Sequence, residues 1–183
     1  AAKRFPNSKV HGIDIDASSV MEATENARQS IFSDRVEFSN VDVRKLAIEP
    51  SHERYDLILC NPPYYTEDTL PPDKRRSMAR NTLHLSFEDL IKSVCLLMSE
   101  DGVFALIIPM QARDFFVSEA LVNGLHIRRE CRVKTVSRKT PKRVLLEFGF
   151  QNYGHVVYTD LILQDANGER SANYSLLCKD FYL

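Results

Sequence analysis

Apolar positions along the first forty residues switch between two periods. Val10 to Asp16 forms an extended run, and Ala17 to Phe32 sets Val20, Ala23, Ala27 and Ile31 on one helical face. Arg35 to Ser39 is extended again, so a β-α-β alternation is already under way. Tyr55 to Cys60 predicts a further strand, and Ser86 to Met98 a helix that turns Leu90, Ile91, Val94, Leu97 and Met98 inward. Gly102 to Ile108 predicts another strand. A helix from about Ala112 to Asn123 ends at Gly124, where a left-handed cap is least strained. From Leu125 onward the pattern becomes extended, roughly Ile127 to Val136, Arg143 to Phe150 and Val156 to Leu163, with Asn167-Gly168 as a tight turn. The order predicts an α/β fold, a doubly wound sheet finishing in antiparallel C-terminal strands. Ala1 to Pro6 reads as the last turn of a helix, with Lys3 and Arg4 at its carboxyl end and a proline stop.

At 183 residues the chain is expected to form one domain, 1–183, large enough to fold on hydrophobic burial alone. Its formal charge of -1 excludes a whole-chain field for nucleic acid, so such a partner must meet a local patch. Cys60, Cys95, Cys131 and Cys178 are far apart and lack zinc-ligand spacing, as expected of buried thiols in a reducing compartment; no metal is expected. Val103 to Met110 is the longest apolar stretch and is too short to span a bilayer. A cytoplasmic protein without a membrane partner is the expectation, and oligomeric state is not legible. Leu70 to Arg76 is the candidate mobile loop.

The most specific chemistry follows the third strand. Asn61-Pro62-Pro63-Tyr64 combines two prolines, which remove backbone donors and stiffen the bend, with a side-chain amide and an aromatic face. Ligands of open α/β sheets bind at the carboxyl ends of strands, where this tetrapeptide falls. Asp14 ends the first strand, where a carboxylate can accept from both ribose hydroxyls of an adenosine cofactor; Asp16 suits a helix cap, though Ser19 with Glu22 also fits a capping box. Asp42 follows the second strand and suits either an adenine-reading role or the cap of a short turn. Taken alone, Asp14 would suit a nicotinamide oxidoreductase equally well. Arg128, Arg129, Arg132, Lys134, Arg138, Lys139, Lys142 and Arg143 crowd one stretch whose only acid is Glu130, and Lys74, Arg75, Arg76 and Arg80 form a second group. Both groups could face a nucleic-acid backbone, or could serve as charged strand edges.

With Asp14, Asp42 and the Asn-Pro-Pro-Tyr corner in this order, the chain resembles the class I S-adenosylmethionine methyltransferases that act on exocyclic or amide nitrogens. Asn61-Pro62-Pro63-Tyr64-Tyr65, Arg76-Ser77-Met78-Ala79-Arg80, Pro141 to Leu146 and the closing Asp180-Phe181-Tyr182-Leu183 are similar to the bacterial tRNA1(Val) adenine-N6 methyltransferase family. The resemblance implies a Rossmann-like sheet, S-adenosylmethionine as cofactor and tRNA as substrate. It implies that Asp14 holds the ribose, that Asp42 and Val43 read the cofactor adenine, and that Asn61 with the Pro62 carbonyl holds the target amino group. Pro63 stiffens the bend and Tyr64 stacks on the target base. Arg76, Arg80, Arg138, Lys139, Lys142 and Arg143 would face the nucleic acid.

One departure stands out. Families of this fold carry a glycine-rich loop after their first strand, and the six glycines here form no such cluster. The chain therefore reads as one that lacks the fold's own first strand and that loop, so that Asp14 ends the second strand of the fold and Asp42 follows its third, and a weakened hold on the cofactor is expected. Glutamine methyltransferases of release factors share the tetrapeptide, as do other DNA and rRNA amino-methylating enzymes. A non-catalytic RNA-binding domain also fits the missing glycines.

Overall fold

The computed structural model describes residues 1–50, 53–62 and 85–181, in two compact units, Ala1–His52 and Glu53–Leu183. The candidate mobile loop lies outside the described residues.

In the first unit, β1 (Val10–Asp14) and β2 (Val36–Asn40) pair in parallel, Val10 opposite Val36 and Asp14 opposite Asn40. A parallel pair needs a crossover, which α1 (Ala17–Gln29) supplies. Asp16 is its cap: one carboxylate oxygen accepts from the Ser18 amide at 3.0 Å, and both Ser18 and Ser19 hydroxyls donate to the carboxylate. Gly12 lies opposite Phe38, whose ring occupies the space a β-carbon would take. The opening residues make a single turn, the Phe5 amide donating to the Ala1 carbonyl at 3.0 Å. Arg35 closes that turn by donating to the carbonyls of Ala2, Phe5 and Ser8, the cationic partner that helix carboxyl ends favour. After β2 comes the short α2 (Val43–Ile48).

In the second unit the strand order is β3-β4-β6-β5-β7, with β3 (Tyr55–Cys60), β4 (Met98–Pro109), β5 (His126–Lys134), β6 (Arg143–Gly149) and β7 (Val157–Ile162). β3 pairs parallel to β4, β6 runs antiparallel to both β4 and β5, and β7 lies parallel to β5. The antiparallel character expected of the C-terminal strands thus belongs to β6, while β7 passes β5 and runs beside it in the same direction. β4 starts four residues before the predicted Gly102. Its polar Ser99 to Asp101 looks like a turn in sequence, yet a bulge between Tyr55 and Leu57 absorbs it. Ser99 donates to Asp56 at 2.9 Å, and Arg54 donates to the Met98 carbonyl at 3.0 Å.

One face of this sheet is covered by α3 (Phe87–Leu97) and α4 (Arg113–Val122). Ser86 caps α3 by accepting from the Asp89 amide, and Leu90, Ile91, Val94 and Leu97 are buried at helical spacing as the sequence predicts. Phe104, Phe116 and Phe148 are fully buried with ring centroids 5.8–6.3 Å apart, and Phe87 meets Phe116 edge-on at 5.0 Å. α4 ends as predicted at Gly124, whose φ is 81°. The Leu125 amide donates to Ala120 at 2.9 Å and the Gly124 amide to Leu121 at 3.0 Å, a Schellman motif with Leu125 and Ala120 buried together. The short α5 (Ala172–Cys178) follows β7, capped by Ser171.

Glu130 is the one fully buried carboxylate among the described residues. It points from β5 into the helix-covered side and accepts from Arg113 at 2.7 and 3.0 Å and from Arg132 at 2.8 Å. Burial pushes its pKa up, but the Arg132 and Arg113 guanidiniums outweigh that and hold it below the ordinary glutamate value.

Two stability measurements follow. Gly124→Ala should lower stability in denaturant titration by about 1–2 kcal/mol, because alanine is strained at this left-handed φ. Glu130 has a depressed folded-state pKa, so its contribution is full above the unfolded value of 4.5 and is lost as pH falls through the lower folded value. Glu130→Gln should therefore cost about 3 kcal/mol at pH 7 and flatten the acid limb of the stability profile measured below pH 4.5.

Candidate active site

Parallel pairing sets the first cluster. Because β1 and β2 end at the same edge, Asp14 and Asp42 are brought to one side of the first unit. Asp14 is exposed; its Oδ1 accepts from the Asp16 amide at 2.9 Å, and its carbonyl accepts from the Asn40 side chain and the Val41 amide. Its second carboxylate oxygen makes no hydrogen bond among the described residues, which suits a diol donor.

Asp42 behaves differently. It caps α2 by accepting from the Arg44 amide at 2.9 Å, and both of its oxygens also accept from the Arg44 guanidinium. Those side-chain hydrogen bonds from Arg44 hold its carboxyl below the usual aspartate range, against a smaller opposing effect of burial. The capping alternative is therefore what the geometry displays, and Arg44 takes up most of the acceptor capacity. Val43 opens α2, so its amide has no intrahelical acceptor and is a ready donor to a ring nitrogen.

The second cluster sits on the five-stranded sheet. β3, β4, β5 and β7 point the same way, so their carboxyl ends share one edge with the start of the antiparallel β6. Asn61 leaves β3 at that edge and is exposed, while Pro62 is buried. Pro63, Tyr64, Arg76 and Arg80 lie outside the described residues. Asn61 also lines a groove of about 740 Å³ along the face opposite α3 and α4, walled by Leu59, Ile107 and Leu145 on the strands and by Leu176 and Leu177 on α5. Burial pushes the Cys60 thiol up to about 11, so it stays protonated at neutral pH and supplies no nucleophile beside Asn61.

The same edge carries the β5–β6 connection, anchored by the Lys142 amide donating to Val133 and the Met110 amide donating to Lys142. Sequence alone counts eight cations in this region, and the fold sorts them. Arg132 is held by Glu130, Arg129 by Glu147 and Lys134 by Asp160, while Arg128 stacks on Tyr153 at 4.9 Å. Arg138, Lys139, Lys142 and Arg143 remain exposed at the edge, and the first three make no ion pair among the described residues. Sequence reasoning missed the Arg113-Glu130-Arg132 cluster and the groove; a lone acid inside a basic strand was the available signal for the first. Among the described residues, no cluster of His, Cys, Asp and Glu is arranged to hold a metal ion, and no helix is long and apolar enough to cross a membrane.

The first unit carries Asp14 and Asp42 at the carboxyl end of a parallel β-α-β pair, and the second sets an Asn-Pro corner at the carboxyl end of β3; each is the place where α/β folds of the Rossmann-like kind bind their ligands. Residues 1–126 match the RMKL-like methyltransferase domain family, and the chain belongs to it. A relative from Phocaeicola vulgatus named tRNA1(Val) (adenine(37)-N6)-methyltransferase is 35% identical over 177 residues, 97% of this chain and 74% of its own. One of the same name from Bacteroides thetaiotaomicron is 32% identical over 183 residues, covering 100% of this chain and 76% of its own. Among solved structures, a protein described as a predicted O-methyltransferase from Agrobacterium tumefaciens superposes with a TM-score of 0.70 at 17% identity, covering 97% of this chain and 80% of that one. The ribosomal protein L11 methylase from Lactobacillus delbrueckii gives 0.55 at 16% identity, covering 82% and 62%. These structures share the fold.

The environment of Cys60 is open to measurement. At pH 8 its carbamidomethylation by iodoacetamide, followed by peptide mass spectrometry, should run at least tenfold slower than that of a free cysteine, as expected for a thiol titrating near 11.

Proposed function

We propose that this protein is an S-adenosylmethionine-dependent methyltransferase that modifies the exocyclic N6 of an anticodon-loop adenine in tRNA, acting in the cytoplasm. The observation that carries the reading is Asn61 with Pro62 at the carboxyl end of β3, opening onto a groove and sharing its edge with the exposed Arg138, Lys139 and Lys142. Membership of a methyltransferase family and relatives named for tRNA1(Val) adenine methylation support it.

When bound, S-adenosylmethionine supplies a methyl group on a sulfonium, a carbon electrophile. Asp14, with an oxygen open to donors, holds the ribose hydroxyls, and the Val43 amide with Asp42 reads the adenine of the cofactor, Asp42 sharing its carboxylate with Arg44. An adenine amino nitrogen is a poor nucleophile because its lone pair is delocalised into the ring. The Asn61 side-chain oxygen and the Pro62 carbonyl each accept one of its hydrogens, which favours a pyramidal nitrogen and aims the lone pair. Alignment and electrostatic support provide most of the rate, and no strong general base is needed. The proton leaves after the methyl is gained. Pro63 stiffens the bend and Tyr64 stacks on the base. Single-stranded loop bases are already partly splayed, which lowers the cost of extruding one. Arg138, Lys139, Lys142 and Arg143 hold phosphates along the sheet edge, and Arg76 and Arg80 add to them.

Asn61→Ala should reduce transfer of labelled methyl to tRNA lacking the modification by about 10²-fold or more, with the protein still folded by circular dichroism because the residue is exposed. Methylation of a release-factor glutamine peptide in place of tRNA, or full turnover in the variant, would overturn the proposal.

A further inference from the structure

A second cavity opens on the same sheet edge, between the loop after β5 and the junction of β7 with α5, and it encloses about 440 Å³. That size lies within the range of small-ligand sites. With the strand order β3-β4-β6-β5-β7 and a spacing of about 4.8 Å between neighbours, it stands roughly 15–19 Å along the edge from Asn61. A nucleic acid strand with one base at Asn61 and its backbone following this edge would reach the cavity within a few nucleotides.

The lining is unlike a simple phosphate site. Arg138 stands at the rim, exposed and without an ion pair among the described residues. Gln164 and Asn173, both exposed, line the cavity and make no side-chain hydrogen bond among the described residues, so two amides with donors and acceptors are open to a ligand; Asn173 and Asp160 also border the groove beside Asn61, so the two cavities adjoin. Two carboxylates also line it: Asp160 is paired with Lys134, and Asp165 accepts from the amides of Asn167 and Glu169. Val136 and Ile162 add apolar wall. Carboxylates repel a phosphate placed inside but accept readily from ribose hydroxyls and base amino groups. The anionic part of a ligand is thus directed to the rim, toward Arg138, and the sugar and base inward.

We propose that this cavity is a subsite for a ribonucleotide flanking the target base, with Gln164 and Asn173 reading its base or its ribose 2′-hydroxyl and Arg138 taking the adjoining phosphate. It rests on the reading of the protein as an RNA methyltransferase and names residues that set how that RNA is gripped away from the reacting amine. The 2′-hydroxyl gives the site a means of telling RNA from DNA.

The test is an anisotropy titration of the protein with a labelled stem–loop RNA and with DNA of the same sequence, over a range of salt. The double variant Gln164→Ala with Asn173→Ala should bind RNA about fivefold more weakly, as loss of one or two hydrogen bonds implies. Its slope of log affinity against log salt should be unchanged, and the difference between RNA and DNA should narrow. Arg138→Ala should instead lower that slope by about one, the mark of a lost phosphate contact. Ala166→Trp, which fills the cavity from its turn, should weaken RNA binding as the double variant does. RNA affinity equal to that of the unaltered protein in both the double variant and Ala166→Trp would overturn the subsite while leaving methyl transfer to tRNA intact. No RNA binding by the unaltered protein would overturn the proposed function along with it.

Discussion

The hydrogen-bonded seating of β6 between β4 and β5 is the constraint on which the second unit depends. Because β6 runs antiparallel to both neighbours, β5 is returned to the direction of β3 and β4, and β7 follows β5. Register then decides where chemistry falls. Val144, Leu146 and Phe148 alternate into the helix-covered core, so Leu145 and Glu147 must face the groove. A one-residue slip of β6 would exchange those sets, burying a carboxylate and exposing the phenylalanine that joins Phe104 to Phe116. The aromatic cluster thus pins the register, and the register pins the edge on which Asn61 and the β5–β6 connection meet.

Electrostatics operate on the same scaffold. A chain of formal charge -1 can meet a polyanion only by local separation of charge. Three of the cations crowded into residues 128–143 are committed to Glu130, Glu147 and Asp160, which reinforce β5 against its neighbours and the start of α4. Of those left exposed, Arg138, Lys139 and Lys142 lie in the β5–β6 connection and Arg143 opens β6. Buried pairing and surface display therefore come from one stretch of sequence, divided by whether a residue's strand position faces an acid. Glu130 is the pivot of that division, because an unneutralised carboxylate at full burial would be strongly destabilising.

Much of the fold could be read from local signals with a direct mechanism. The β-α-β order follows from periodicity, Asp16 caps α1 and Ser86 caps α3 through oxygens placed for the first amides, and Gly124 ends α4 because only glycine adopts that φ without strain. The start of β4 was not readable, since Ser99 to Gly102 has turn composition and is held extended only by a bulge opposite β3. At the candidate site, the corner at Asn61 is legible because two prolines and an amide after an apolar strand have few other uses. The role of Asp42 is less so: a capping aspartate and an adenine-reading one look identical until Arg44 is seen to fold back on it.

By itself the sequence determined the elements, the caps and the chemistry available after each strand, because these depend on residues within a few positions of one another. Only the tertiary structure decided which cations are committed to acids, that β7 lies parallel to β5, and that Gln164 and Asn173 share a cavity with Arg138. Those outcomes depend on pairings between strands far apart in the chain, and a strand's own composition says little about its neighbour.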